Sequence, residues 1–463
     1  MNHLANALML NKTLKTLCLA KNDIGKAGVK HLATTVLQCN TTLQELDIAS
    51  NRIGDAGAQH LANALKLNTT LRTLNLASNK ICNSGVSYLA IAIKQNTTLN
   101  MLNLQHNNIQ DGAIKYLADA LLNNTTLVTL DLKNNMIETM GAIQFAAVLM
   151  YNTTLTTLDV TCNQINDKWL EYLGDALKRN IAIANLTLQN NVSNDAEVQR
   201  VLDAITQDTT LTTLNLRWKN IDNTGVKHLL HVIQQNKRIE NLDLAWNNIS
   251  DAGIEELAVA LQYNTTISTL ILQYNRIGDE GVQHLAAALL KNTTLITLCV
   301  DHNYIDQEGM EFVANALDRS KTHSMLNFQG RKFKHGMMES LADALQLNST
   351  ITVLDLQRNK IDDKGSQHIA DMLQHNTMIT TLDLHNNQIG DDGAMHLTNG
   401  LQHNRTVTML DLGENGISDA GAEHLANALQ QNTTILTLNL KSNKIGDLGA
   451  VHLANALQQN SVN

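Results

Sequence analysis

LRTLNLASNKICNSGVSYLAIAIKQNTT, residues 71–98, lies in register with ILTLNLKSNKIGDLGAVHLANALQQNSV, residues 435–462, and a period of 28 residues connects the two. Sixteen units follow from that period. They open at Leu14, Leu43, Leu71, Leu99, Leu127, Leu155, Ile183, Leu211, Ile239, Ile267, Leu295, His323, Ile351, Ile379, Val407 and Ile435, and only the first spacing carries an extra residue. Each unit reads L-x-x-L-x-L-x-x-N-x-I, then G-D-x-G-A, then x-H-L-A-x-A-L-x-x-N-T-T. Near its start Leu74 and Leu76 alternate with Thr73, Asn75 and Ala77, which predicts a short strand with one buried face. Farther along, Leu61, Ala64 and Leu65 recur at helical spacing. The Asn-Thr-Thr that follows suits a helix exit, through a left-handed Asn and a β-branched Thr that begins the next strand.

The ninth residue is Asn in 14 of the 16 units, from Asn22 and Asn51 to Asn415 and Asn443. An amide has donors and acceptors enough for the turning backbone of its own and the adjoining unit, so this column predicts a ladder. Glycines such as Gly57, Gly85 and Gly253 suit a tight approach to the helix. No unit can bury its leucines alone, but stacked neighbours can. Strands pair about 4.8 Å apart while helices pack roughly 8–10 Å apart, so the strand side becomes the inside of a curve. The expected fold is α/β, a horseshoe solenoid with a parallel sheet on the concave face and helices on the convex face. Residues 1–13 are expected to form a partial-repeat helix acting as a cap, and residues 14–463 the repeat domain, with its last helix at the C-terminus.

The unit resembles the ribonuclease-inhibitor-type leucine-rich repeats, shared by ribonuclease inhibitor, the receptor halves of NOD-like immune sensors and the Ran GTPase-activating protein. The resemblance covers practically the whole chain. It implies a protein-binding scaffold, because these relatives share an architecture and bind unrelated partners. Ribonuclease inhibitor is cysteine-rich and alternates two repeat types, whereas this chain has five cysteines and one type. The Ran activator carries a long acidic tail, and this chain stops at Asn463 after its last predicted helix. Near-identical units rich in Asn, Gln and Thr, without proline, are also similar to the eukaryotic-like repeat proteins that intracellular bacterial pathogens deliver into host cells. That second likeness implies an effector acting on host proteins.

Composition narrows the function. A net charge of −9 with 3% aromatic residues gives no basic footprint for nucleic acid. Cys18, Cys39, Cys82, Cys162 and Cys299 stand singly and odd in number, which points to reduced thiols and a cytoplasmic location, or the host cytosol for a delivered effector. The opening MNHLANALML repeats the HLANAL of His60–Leu65 and has neither a basic n-region nor a cleavage site, so it reads as repeat rather than signal peptide. No apolar run is long enough to span a bilayer. The Asn-Thr-Thr tripeptides match the glycosylation acceptor pattern, but their fixed place in the unit gives them a structural reading.

Residues three, five, seven and eight of each unit should face the concave side. The eighth column places Trp218, Trp246, Tyr274 and His302 in successive repeats, with Arg217, Asp243 and Asp301 beside them. Exposed aromatic and Arg side chains are the usual anchors of protein interfaces. These seven residues form the expected partner-binding site, and Lys219 in the Asn slot of the same region breaks the ladder locally. The competing reading is that the rings only pack on one another. The fifth column is rich in Asp, a file that attracts a basic partner or simply keeps the face soluble.

Histidines recur on the helices from His31 and His60 to His452, with Tyr88, Tyr116 and Tyr172 in the same slot. Helix spacing keeps them too far apart to share a metal, so a half-buried inter-repeat position is expected. Repeat 12 is the most irregular, with His323, Phe328, Arg331, Phe333 and a basic cluster of Arg319, Lys321, Lys332 and Lys334. Repeat 7 drifts as well, and in repeat 6 Trp169 replaces the glycine. No phosphate-binding, nucleophile or zinc-protease motif is present, so neither a catalytic residue nor a cofactor is expected. The sequence thus reads as a monomeric protein-interaction module, with end-to-end association open to it. The alternatives are regulation of a small GTPase, as the Ran-activator resemblance implies, and a structural repeat protein without a strong partner.

Overall fold

The structure, a computed structural model, describes residues 1–166, 168–187, 195–306, 308–309, 312, 325–327 and 335–460. Among the described residues there are sixteen three-residue strands, from β1 (Thr16–Cys18) to β16 (Thr437–Asn439). Each occupies the third to fifth residues of a predicted unit, including β12 (Met325–Asn327) in the irregular repeat 12. The chain forms two compact units. The first is Met1–Asn220 with Gln235–Ile239, and the second is Ile221–Gln234 with Glu240–Asn463. Within each, neighbouring strands pair in parallel and in chain order, Leu74 opposite Leu102 in the first and Leu270 opposite Leu298 in the second. The helices pack on one another in the same order, as Gly54–Leu65 does on Asn83–Gln95.

The periodicity of two on the strands and 3.6 on the helices turns the apolar residues of each repeat into one slab. In repeat 3, Leu71, Leu74, Leu76, Ile81, Val86 and Leu89 are all 0% exposed. Burying each such side chain stabilises the fold by about 1.5–3 kcal/mol. The extra residue of the first repeat is absorbed in its helix, where α-helical Gly25–His31 continues as a π-helix over Leu32–Leu37. The wider turn takes up the insertion and leaves the strand register intact.

Polar contacts between repeats follow three ladders. In the predicted Asn column, Asn79 donates through Nδ2 to Ile48 O at 2.9 Å in the preceding repeat and to Ala77 O at 3.1 Å in its own. Its Oδ1 accepts from Asn51 N–H at 2.8 Å. The second ladder is the Asn of Asn-Thr-Thr. Asn96 donates to Leu65 O at 2.7 Å and Asn68 O at 3.0 Å, and accepts from the N–H groups of Thr98 and Leu99 at 2.9 and 2.7 Å. The expected left-handed exit is not observed, because Asn96 has φ −78° and ψ 135°. An extended residue is what lets the buried amide reach back to the previous repeat while holding its own turn. A structural role thereby explains the recurrence of the tripeptide. The third ladder caps helices from the neighbouring repeat: Asp391 Oδ1 accepts from Ser418 N–H at 2.8 Å and Gly421 N–H at 2.9 Å.

The helix histidines are half-buried, as His60, His228, His284, His368, His396, His424 and His452 all show, whereas Tyr88, Tyr116 and Tyr172 in that slot are exposed. Among the described residues no cluster of His, Cys, Asp or Glu could hold a metal ion, and no helix is long and apolar enough to cross a membrane. Trp169 fills the glycine slot of repeat 6 and is 1% exposed. The repeat 12 residues His323, Phe328, Arg331, Phe333, Arg319, Lys321, Lys332 and Lys334, and residues 188–194 of repeat 7, lie outside the described residues.

Candidate partner-binding site on the strand face

Two backbone features set the outer face of each strand. The eighth residue of the unit is left-handed in every repeat where it is described, with φ between 52° and 61°, although no glycine occupies it there. Trp218, Trp246, Tyr274 and His302 adopt this conformation at φ 61°, 56°, 54° and 55°. For a bulky side chain the left-handed region costs on the order of 1–2 kcal/mol, which the flanking ladder and core hydrogen bonds impose. Just before it, the fifth residue stabilises the turn. Asp47, Asn75, Asp131, Asp243, Asp355, Asp383 and Asp411 each accept through Oδ1 from the N–H two residues on, at 2.8–3.1 Å. The acidic file therefore has a structural duty that Asn performs equally well.

On this frame the second unit assembles three of the expected rings. Trp246 and Tyr274 stack with centroids 3.7 Å apart and planes 11° apart, and Tyr274 stacks on His302 at 4.0 Å and 17°. All three are half-buried. Asp301, expected on the outer face, is 1% exposed. Its Oδ2 lies 2.8 Å from His302 Nδ1 and its Oδ1 accepts from the Gln273 amide at 2.6 Å. It acts beneath the surface by fixing the ring of His302. The seventh column as a whole is more covered than its expected outward position implies, with Ala245 0% and Thr161 0% exposed.

Asp243 is half-buried and spends one oxygen on Ala245 N–H at 2.9 Å. Arg217 and Trp218 belong to the first unit. Trp218 is 45% exposed, while Arg217 is half-buried with its Nε enclosed and lacking a hydrogen-bond partner. Reading columns in the sequence missed Gln273, which steadies Asp301, and Tyr304, which is 74% exposed two residues after His302. Gln273 shares its residue type with others of the seventh column, such as Gln105 and Gln357, whereas Tyr304 is the one aromatic residue of the tenth column and could have been found there.

Electrostatics separate the acidic residues. Burial raises the pKa of Asp355 and Asp383 above the ordinary carboxylate range, and the facing carboxylates Asp383 and Asp411, one strand farther on in each case, add to the rise. Burial also pushes the Cys299 thiol up to about 12, helped by Asp301, Asp355 and Asp243.

The family described as Leucine Rich repeat matches residues 10–33, 39–62, 67–90, 95–118, 123–146, 151–173, 207–230, 235–258, 263–286, 347–370, 375–397, 403–426 and 431–454. No curated protein matches the chain. Among solved structures it is similar to Leiomodin-1 Actin-Binding Site 2 (ABS2), with 24% identity over 33% of this chain and 86% of that chain, at a TM-score of 0.27. So loose a superposition has no bearing on function.

Proposed function

The chain belongs to the leucine-rich repeat proteins, whose repeats generally serve as protein-interaction modules, and on that premise we propose that its second unit captures a protein partner at the Trp246–Tyr274–His302 stack. The carrying observation is a three-ring stack held in place before any partner arrives, with centroid spacings of 3.7 and 4.0 Å. Rings that are already ordered lose little rotamer freedom on binding, so their contact area converts efficiently into affinity. The stack also shapes what a partner meets. Inner ring faces are spent on each other, so the edges of the half-buried rings are what remains for contact.

Asp301 and Gln273 supply rigidity to this site rather than surface. Binding, not catalysis, is the reading that suits such an arrangement, and the scattered single cysteines accord with a cytoplasmic setting. The test is affinity capture with the full chain against Trp246→Ala/Tyr274→Ala, with circular dichroism confirming that the variant is folded. Loss of specific partners from the variant supports the reading, and an unchanged set of captured proteins refutes it. A panel of small GTPases assayed with the chain separates the regulator alternative, which requires stimulated hydrolysis.

A further inference from the structure

The strand face of the second unit is charged as well as aromatic. Let β9 be Asn241–Asp243, β10 Thr269–Ile271, β11 Thr297–Cys299, β13 Val353–Asp355, β14 Thr381–Asp383 and β15 Met409–Asp411. Their fifth-column residues are paired in register and run Asp243, Ile271, Cys299, Asn327, Asp355, Asp383, Asp411. The half-buried Ile271 and the buried Cys299 form an apolar gap in an acidic row. Asp243 stands in register with Ile271 on one side and Asp355 lies two strands beyond Cys299 on the other, so carboxylates flank that gap. The ring stack stands at the exits of the strands that bear it.

Charge on this face is one-sided. In the third, fifth, seventh and eighth columns of the second unit, with the buried Asp301 left aside, Asp243, Asp355, Asp383, Asp411 and Glu414 are countered among the described residues by Arg358 and Lys441, beside His302 and His385. The same columns of the first unit are close to balanced, with Glu45, Asp47, Asp131 and Asp159 against Lys21, Lys133 and Arg217. Apolar floor, aromatic wall and flanking carboxylates complement a side chain with an aliphatic stem and a cationic head. The three neighbouring carboxylates of the Asp355–Asp383–Asp411 row all gain from an arriving positive charge.

We propose that the partner segment received by this face is basic, an arginine- or lysine-bearing stretch of a protein whose stems lie over Ile271 and Cys299 against the rings and whose charges meet the Asp355–Asp383–Asp411 row. The proposal rests on the ring stack being the partner site. Its probe is a labelled nona-arginine peptide, with nona-glutamate as the opposite charge, titrated into the full chain. The decisive variant is Asp355→Asn/Asp383→Asn/Asp411→Asn. Asn75, Asn103, Asn215 and Asn439 already make the same turn hydrogen bond elsewhere in the chain, so this variant keeps the fold.

Nona-arginine should bind with an affinity that falls as salt rises and weakens by about tenfold or more in the triple variant. The matching first-unit variant, Asp47→Asn/Asp131→Asn/Asp159→Asn, should bind it as the parent does. Equal losses from both variants, no loss from the second-unit variant, or comparable binding of nona-glutamate overturns the proposal. The two readings fail separately. A captured partner lost by Trp246→Ala/Tyr274→Ala but kept by the triple Asn variant contradicts the basic segment alone, whereas one kept by the ring variant contradicts the ring site.

Discussion

His302 lies flat on Tyr274, with ring centroids 4.0 Å apart and planes 17° apart, while its Nδ1 sits 2.8 Å from the buried carboxylate of Asp301. The ring is thus fixed by its face and by its edge. Asp301→Ala removes the acceptor of both His302 and the Gln273 amide, at a cost of about 1–3 kcal/mol for buried groups left unsatisfied. Near-ultraviolet circular dichroism should show a weakened aromatic signal, with the far-ultraviolet spectrum unchanged. An unaltered aromatic signal would mean that stacking alone holds the ring.

The carboxylates predict opposing responses to pH. Burial works against ionisation of Asp391, but hydrogen bonds from the Ser418 side chain, Ser418 N–H and Gly421 N–H, with His424 nearby, hold its pKa below the ordinary value. Its contribution to stability is therefore present above the unfolded carboxylate pKa and is lost as pH falls through the lowered folded value. Asp355 and Asp383 are raised, so their contribution is full below the unfolded value and disappears as pH rises through the raised one. Asp355→Asn/Asp383→Asn should accordingly melt at a higher temperature than the parent at neutral pH, and the gap should close below about pH 3.9. A gap that persists in acid would place the effect outside ionisation.

Much of this was legible in the sequence, and the residues that were not share a cause. Strands, helices and the Asn ladder announce themselves through strict periods and one residue type. The left-handed eighth position does not, because Lys21, Ser78, Cys162, Trp246 and Glu414 occupy it beside Asn134 and Asn386, so no one residue type marks the column. In the fifth column the interchange of Asp with Asn, such as Asp131 with Asn103, was the available clue that an oxygen acceptor mattered more than a charge. Column reading placed the rings of Trp246, Tyr274 and His302 together. It put Asp301 on the surface because sequence spacing carries no information about Gln273 and His302 closing over it.

Cys299 should be nearly inert. With its thiol pKa pushed up to about 12, the thiolate fraction at pH 8 is on the order of one part in ten thousand. Cys18 and Cys39 are exposed. Iodoacetamide labelling read by mass spectrometry should modify those two well before Cys299 in the native protein, and labelling at equal rates would show that the second unit opens.

The cap passed between repeats predicts a steric requirement at one glycine. A Cβ on Gly421 would stand 2.5 Å from Asp391 Oδ1 and 2.7 Å from Ile417 Cγ2. Gly421→Ala should destabilise by about 1–3 kcal/mol through forced displacement of well-packed neighbours. At Gly446 the nearest atom would be Asp419 Oδ2 at 3.2 Å, and Gly446→Ala should be much milder in the same urea titration. Equal effects would remove the close approach as the reason for glycine.

Site-specific photo-crosslinking tests the ring stack most directly. A benzophenone amino acid is placed at Tyr304, 74% exposed two residues after His302, or at Tyr116, 52% exposed on a first-unit helix, in otherwise unchanged chains. Irradiation in cell lysate should yield a discrete crosslinked protein from position 304 that is absent from position 116 and is competed away by unlabelled parent chain. The same crosslinks from both positions, or none from position 304 while position 116 reacts, would contradict a partner site at the ring stack.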